Sequence, residues 1–391
     1  MRKLHLLFLP IALLCTIIAG NSYGQSLDTL SAAELAPGVE HYSIVLRSFP
    51  LTINVVKVNL SERGVSLRVV KASKDAMETL DARAKTSEMM EEANTDSTQA
   101  IAAINGGFFD IVNGCPMDLQ IENGMIGKLP EVTPIRSSFL YGASRKAVIG
   151  CFDLSIELAT RDTTFHIDDL NEVCRHDQTI LFDRFYRKRT GSNLYGVGVI
   201  LRPLSNPEAG AATNCVVDTL IKLSGDYAIP ADGFVLVARG AAGATIGEMI
   251  TDHDTVQLIT KFTPKLSRIT QALAGWPGIV RNGKNVAESE AESEGTIPGF
   301  AGKRHPRTSI GVSRDGTEVL LVVVDGRTKK SIGVTLPELA DLMMKFGAYD
   351  AVNMDGGGSS TMAIEGKVVN APSDAAGERP VSDALVVTVA K

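Results

Sequence analysis

The sequence predicts a mixed α/β fold, α+β in type, with a sheet core, and three observations carry that reading. An apolar strand, a capped amphipathic helix and a second strand follow one another between residues 319 and 354. Residues 150–270 alternate short apolar runs with polar turns and read as β-rich. Near the start, β-branched runs at 53–58 and 65–70 flank Ser61-Glu62-Arg63-Gly64 and read as a hairpin.

Taken in order, the chain opens with Arg2 and Lys3, an apolar run over 4–19, and Ser22-Tyr23-Gly24. This is the pattern of a signal peptide over 1–24. The run is shorter than the ~20 apolar residues of a spanning helix, and no later stretch is long enough, so no stable membrane span is expected. The expectation is an exported protein, periplasmic, cell-surface or secreted. Residues 25–40 read as a loose leader, and 41–391 as one domain carrying 150–270 as a β-rich insertion.

Met77, Leu80, Ala84, Met89 and Ala93 fall near helical spacing, predicting a helix over 76–93 that Asn94 and Asp96 end. Residues 100–104 form a buried strand running into Asn105-Gly106-Gly107-Phe108-Phe109-Asp110. Strands follow at 180–182, 196–201, 234–238 and 255–259, with a short helix at 240–250. The Glu/Ser-rich run 288–299 reads as a solvated loop. A strand over 319–324 ends at Asp325-Gly326-Arg327. Thr335-Leu336-Pro337-Glu338 is a capping box with Pro in the first turn. Leu339, Leu342, Met343 and Phe346 give that helix its apolar face, and Gly347 stops it. The strand 349–354 then reaches Asp355.

The chain has 391 residues and a net charge of -6, so a nucleic-acid groove is not expected. Beyond the leader it holds Cys115, Cys151, Cys174 and Cys215, an even number that permits disulfides in an exported chain and equally fits free buried thiols. His41, His166, His176, His253 and His305 show no metal-ligand spacing. Only His305, beside Arg307, is a candidate acid or base.

The segment Asn353-Met354-Asp355-Gly356-Gly357-Gly358-Ser359-Ser360-Thr361 concentrates the chemistry. Three consecutive glycines cost backbone entropy, and suit a sharp turn or a nest of N–H groups around an anion. No Lys follows them, so a Walker-type loop is excluded, and the closing glycine of a nucleophile elbow is absent. Asp325 and Asp355 each follow a strand, and parallel strands put both at one sheet end. They would lie ~4.8 Å apart on neighbouring strands, or ~10 Å with one strand between. Those separations bracket the ~5–9.5 Å of paired carboxyls in glycoside-hydrolysing sites. Taken singly, each Asp is equally a turn residue. As a pair they are the candidate acid and base or nucleophile.

Ala103-Ile104-Asn105-Gly106-Gly107-Phe108-Phe109, Pro306-Arg307-Thr308-Ser309-Ile310-Gly311, Val324-Asp325-Gly326-Arg327 and the 353–361 segment together resemble the signatures of the phosphodiester glycosidase family. Thr86-Ser87-Glu88-Met89, Gly275-Trp276-Pro277-Gly278 and Arg379 also fit in order. The chain departs at Trp276, where the pattern has glycine, and in the long 150–270 segment. The resemblance implies a carbohydrate phosphodiester substrate. It casts Asn105, Gly106, Gly107, Arg307, Thr308, Arg327, Gly356, Gly357, Gly358, Ser359, Ser360 and Arg379 as the substrate- and phosphate-binding set. Planar guanidinium forks at Arg307 and Arg327 suit a phosphodiester bidentately. No cofactor is required; a divalent cation held by Asp325, Asp355 and phosphate is chemically allowed. Cleavage of the P–O bond, or glycan binding without turnover, stay open at this level.

Overall fold

The computed structural model describes residues 29–46, 49–72, 82–131, 133–191, 196–224 and 226–391. The architecture is predominantly β, with 47% strand against 11% helix and four short helices among the described residues, which corrects the mixed α/β (α+β) expectation. The physical reason is segment length. Apolar runs of four to nine residues, rich in Val and Ile, satisfy their backbones in ladders. Among the described residues only the capped helix Leu336–Phe346 reaches eleven residues, and one well-signalled helix does not set a fold class.

One eight-stranded sheet runs, in spatial order, Thr29–Ala36, Val39–Leu46, Leu51–Asn59, Glu318–Val324, Arg307–Val312, Asp350–Asn353, Gly278–Arg281 and Lys284–Asn285. Arg307–Val312 is antiparallel to both of its neighbours. Glu318–Val324 and Asp350–Asn353 therefore point the same way with one strand between them. A five-stranded antiparallel sheet faces it, in the order Lys367–Val368, Met362–Ile364, Thr98–Asn105, Asp383–Ala390 and Val65–Lys71.

Val56, Leu321, Val323, Ile310 and Val352 of the first sheet pack on Leu67, Ile104, Leu385 and Val387 of the second. On the outer face of the first, Leu336, Leu339 and Met343 of the capped helix cover Ile53, Val55 and Val322. Helix Thr86–Glu92 seals the second through Met89 and Met90. Both faces of Glu318–Val324 are thus dry, which is why its sequence is apolar without alternation.

Residues 153–263 supply every strand of a second eight-stranded sheet, together with helix Gly240–Met249. A further five-stranded sheet, drawn from residues 120–151 and 269–274, shares its core through Ile121, Leu140 and Ala272 against Leu158 and Leu236.

Other local expectations are corrected. Leu51–Asn59 is flanked on both edges, by Val39–Leu46 and Glu318–Val324, so it has no edge left for Val65–Lys71. The turn after it crosses between sheets and closes no hairpin. Within the expected leader, residues 29–40 form strand Thr29–Ala36, a turn at Gly38 with φ 78° and the start of its partner Val39–Leu46. The run 288–299 begins as helix Ala287–Ser293, anchored by buried Ala287 and Ala291. The signal-peptide segment 1–24 lies outside the described residues, as does the first part of the helix expected over 76–93; its described part is Thr86–Glu92. None of the four cysteines is in a disulfide. Among the described residues no helix is long and apolar enough to cross a membrane.

Candidate functional site

The two facing sheets bring their strand ends to one place. Arg307 pairs with Val324 and Ser309 with Asn353, so Arg307–Val312 begins where its two neighbours end. Across the core, Met362 pairs with Ile104, and Ala384 with Asn105. Backbone bonds tie these ends: Met354 N to Thr308 O at 2.8 Å and Gly357 N to Pro306 O at 2.9 Å at the first sheet, Gly106 N to Asp383 O at 2.9 Å at the second, and Asp355 N to Gly106 O at 3.2 Å between them.

Asn105 is the hub, and it is fully buried. Its Oδ1 accepts from Thr308 Oγ1 at 2.7 Å and Thr361 N at 3.1 Å, while its Nδ2 donates to Asp355 O at 2.7 Å. Asn105 and Thr308 thus hold the loop from within. Gly106 is required by packing, since a Cβ there would sit 2.1 Å from Asp383 Oδ1; at Gly107 it would sit 2.6 Å from Ala274 O. In the glycine loop, the N–H of Gly356 donates to Asp355 Oδ1, those of Ser359 and Ser360 to Gly356 O and Gly357 O, and that of Gly357 to Pro306 O. These four amides are engaged inside the protein. Gly357, at φ 64°, lies against the Arg327 guanidinium, and Gly358 against that of Arg379.

Three carboxyls surround this loop. Asp355 is half-buried, and burial pushes its pKa up to about 6. The Ser359 hydroxyl, the Gly356 N–H and the Arg379 charge pull it back, while Asp383 pushes it further up. Asp325 is nearly closed to solvent and also raised by burial. Its Oδ1 accepts from Asn370 Nδ2 and Ala371 N, both at 3.0 Å, and its Oδ2 from Ala371 N at 3.2 Å. Asn370 also donates to Ser360 O and accepts from Met362 N. Asp383 is buried and pushed up to about 6 in spite of Lys71, and accepts from Gly107 N at 2.9 Å.

The arginines divide into two kinds. Arg307 is only 2% exposed and donates to the carbonyls of Val334, Phe300 and Lys303. Burial and the Arg327 charge lower its pKa to about 10. Arg327 is exposed, at φ 62°, with Nη1 3.3 Å from Ser373 Oγ and Nη2 3.3 Å from His305 Nδ1. Arginine can only donate, so Nδ1 accepts and a neutral His305 carries its proton on Nε2. Burial and the charges of Arg307, Arg327 and Lys303 hold its pKa below the usual value. Arg379 bonds Asp374 Oδ2 at 2.7 Å and Ser359 Oγ at 3.4 Å. The Ser360 and Thr361 hydroxyls are buried without a protein partner.

Among the described residues no group of three His, Cys, Asp or Glu side chains is arranged to hold a metal ion. Sequence reasoning missed Asp383, Asn370 and Lys71. The only signal was Ser382-Asp383 at the head of an apolar strand.

Residues 211–388 match the family model described as phosphodiester glycosidase. A stretch of 111 residues, 27% of this chain and 21% of the relative, is 35% identical to the N-acetylglucosamine-1-phosphodiester alpha-N-acetylglucosaminidase of Bos taurus. The chain spans 13% and 21% of the length of the first curated relatives it matches. Among solved structures, a hypothetical protein from Synechocystis superposes with TM-score 0.67 at 19% identity, over 94% of this chain and 65% of that one. A protein of Burkholderia pseudomallei K96243 superposes with TM-score 0.61 at 23% identity, over 88% and 74%. These two likenesses concern the fold. The family match over residues 211–388 covers the glycine loop, both strand-end aspartates and the arginines around them.

Proposed function

We propose that the protein is an exported hydrolase that cleaves the glycosidic C–O bond of a sugar-1-phosphodiester, releasing the free sugar and a phosphomonoester. Asp355 carries this reading: a half-buried carboxyl raised to about 6, in a loop flanked by the guanidiniums of Arg327 and Arg379. A carboxyl near 6 is tuned for general-acid work close to neutrality. Protonated Asp355 gives its proton to the bridging oxygen as the C1–O bond breaks, and the bond pair leaves with the phosphate. Water adds at C1, and its proton restores Asp355. Arg327 and Arg379 meet the non-bridging phosphate oxygens, and His305 Nε2–H donates beside them.

Asp325 is assigned a positioning role, because its oxygens are already engaged by Asn370 and Ala371. Through that segment it sets Ser373 against Arg327. Asn105, Thr308 and buried Arg307 act as framework. Export rests on the charged-then-apolar start of the chain.

The test is hydrolysis of a panel of sugar-1-phosphodiesters in oxygen-18 water. Label in the sugar is the expected result. Label in the phosphate means P–O cleavage and overturns the mechanism. Tight binding with no turnover across the panel overturns the enzyme reading.

A further inference from the structure

Beside Arg379 a cavity of about 880 Å³ opens, walled by Arg83, Phe109, Ile111, Val112 and Pro380. Its composition is unusual for a polar-substrate site. Ile111 is 67% and Val112 84% exposed, adjacent β-branched residues at the tip of a turn. The turn is built, not loose: Asp110 N donates to Cys115 O at 2.9 Å, Gly114 N to Asp110 O at 2.7 Å and Val112 N to Asp110 Oδ1 at 2.8 Å. Arg83 Nη1 pins the tip through Ile111 O at 2.6 Å and pairs with no carboxylate among the described residues. Two guanidiniums and an ordered apolar tip therefore share one cavity, and Arg379 joins it to Ser359 of the glycine loop.

We infer that this cavity is the leaving-group subsite and that it takes an amphiphilic aglycone, a phosphate followed by a hydrocarbon chain. The inference rests on the hydrolase reading above and deepens it. The phosphate lies against Arg327 and Arg379, and the chain runs past Arg83 over Ile111 and Val112. A polyhydroxylated aglycone would leave those apolar surfaces without a partner, whereas a hydrocarbon gains about two- to fourfold in affinity for each methylene it buries.

The released phosphomonoester provides a probe independent of turnover. Octyl phosphate, below its micelle concentration, and glycerol phosphate are titrated calorimetrically into the full chain. Octyl phosphate is expected to bind at least ~100-fold tighter, from several buried methylenes. The double variant Ile111→Ser, Val112→Ser, which removes the apolar surface without adding charge, is expected to weaken octyl phosphate at least ~10-fold and leave glycerol phosphate unchanged. Both side chains point to solvent, so the fold keeps its stability. Equal binding of the two phosphates, or a double variant that binds octyl phosphate normally, overturns the inference. So does equally strong binding to phosphatidylcholine vesicles free of sugar phosphate, which would make the tip a membrane contact. Turnover of sugar-1-phosphodiesters without chain-length preference sinks this inference alone. Tip-dependent octyl phosphate binding without any turnover sinks the hydrolase reading and supports the cavity assignment.

Discussion

Asn105 Nδ2 donates to the backbone carbonyl of Asp355 at 2.7 Å, across 250 positions of sequence. One buried amide thereby fixes the backbone from which the proposed acid projects. Asn105→Ala strands Thr308 Oγ1, Thr361 N and Asp355 O inside the core. An unmet buried polar group costs about 1–3 kcal/mol, and relaxation recovers part, so a loss of roughly 2–4 kcal/mol is expected. Urea unfolding of the variant checks it; a change under ~0.5 kcal/mol would remove Asn105 from its hub role.

Asp355→Asn should lower kcat by ~10²–10⁴-fold with the melting temperature near that of the parent. In the parent, kcat/KM should decline as pH rises past about 6, because the acid must be protonated. That limb should vanish in the variant. Full activity per folded molecule would return Asp355 to the status of a turn residue.

Asp325→Asn should behave differently. The change disturbs the carboxylate that holds Asn370 and Ala371, so melting temperature and activity fall together. Suppressing that loss with a stabilising ligand or lower temperature should recover turnover. A loss of ~10²-fold or more in kcat with unchanged stability would instead make Asp325 chemical.

Arg327→Lys should raise KM for phosphodiesters far more than for neutral aryl glycosides, since the bidentate fork is lost. Arg307→Met should cost roughly 2–4 kcal/mol of stability through the carbonyls it abandons, while KM of the remaining folded enzyme stays near the parent value. Steady-state kinetics paired with unfolding curves separates the two arginines.

Asp383 offers a pH test of the core. Its pKa rises from 3.8 to about 6 on folding, so the native state binds more protons between those values. Its contribution favours folding fully below pH 4 and is lost as pH rises through about 6. Asp383→Asn keeps an acceptor for Gly107 N–H and should flatten that decline, gaining about 1–2 kcal/mol at pH 8 relative to the parent. An unchanged pH–stability curve would show that Asp383 is not strained in the fold.

The site motifs were legible because each sits where an apolar run stops, and strand ends are written in sequence as Val-Asp-Gly or Ile-Asn-Gly-Gly. Four of the eight strands in 153–263 were legible for the same reason, by short apolar runs between turns. What the sequence hid was neighbourhood. Nothing near Leu51–Asn59 announces that Glu318–Val324 takes its edge, so the local hairpin reading looked sufficient. Burial of Arg307 was equally hidden, since its three carbonyl partners come from loops at 300–303 and 334. Asp383 pairs with the motif at 105–107 only through the strand order of a sheet. The α/β reading gave one strongly capped helix the weight of a layer, when most backbone demand was met between strands.

The strand Asp383–Ala390 lies inside its sheet, between Thr98–Asn105 and Val65–Lys71. During synthesis those two strands emerge early and wait, each with an unfilled edge, until residue 390 has been made. The second wall of the site therefore cannot close on a partial chain. Holding two apolar strands apart for that long exposes them to pairing with other molecules, the hazard that unpaired edges carry. A late interior strand ties the glycine loop, its Asn105 anchor and the integrity of the sheet to one closing event, so premature termination would yield no half-formed site, only an open edge.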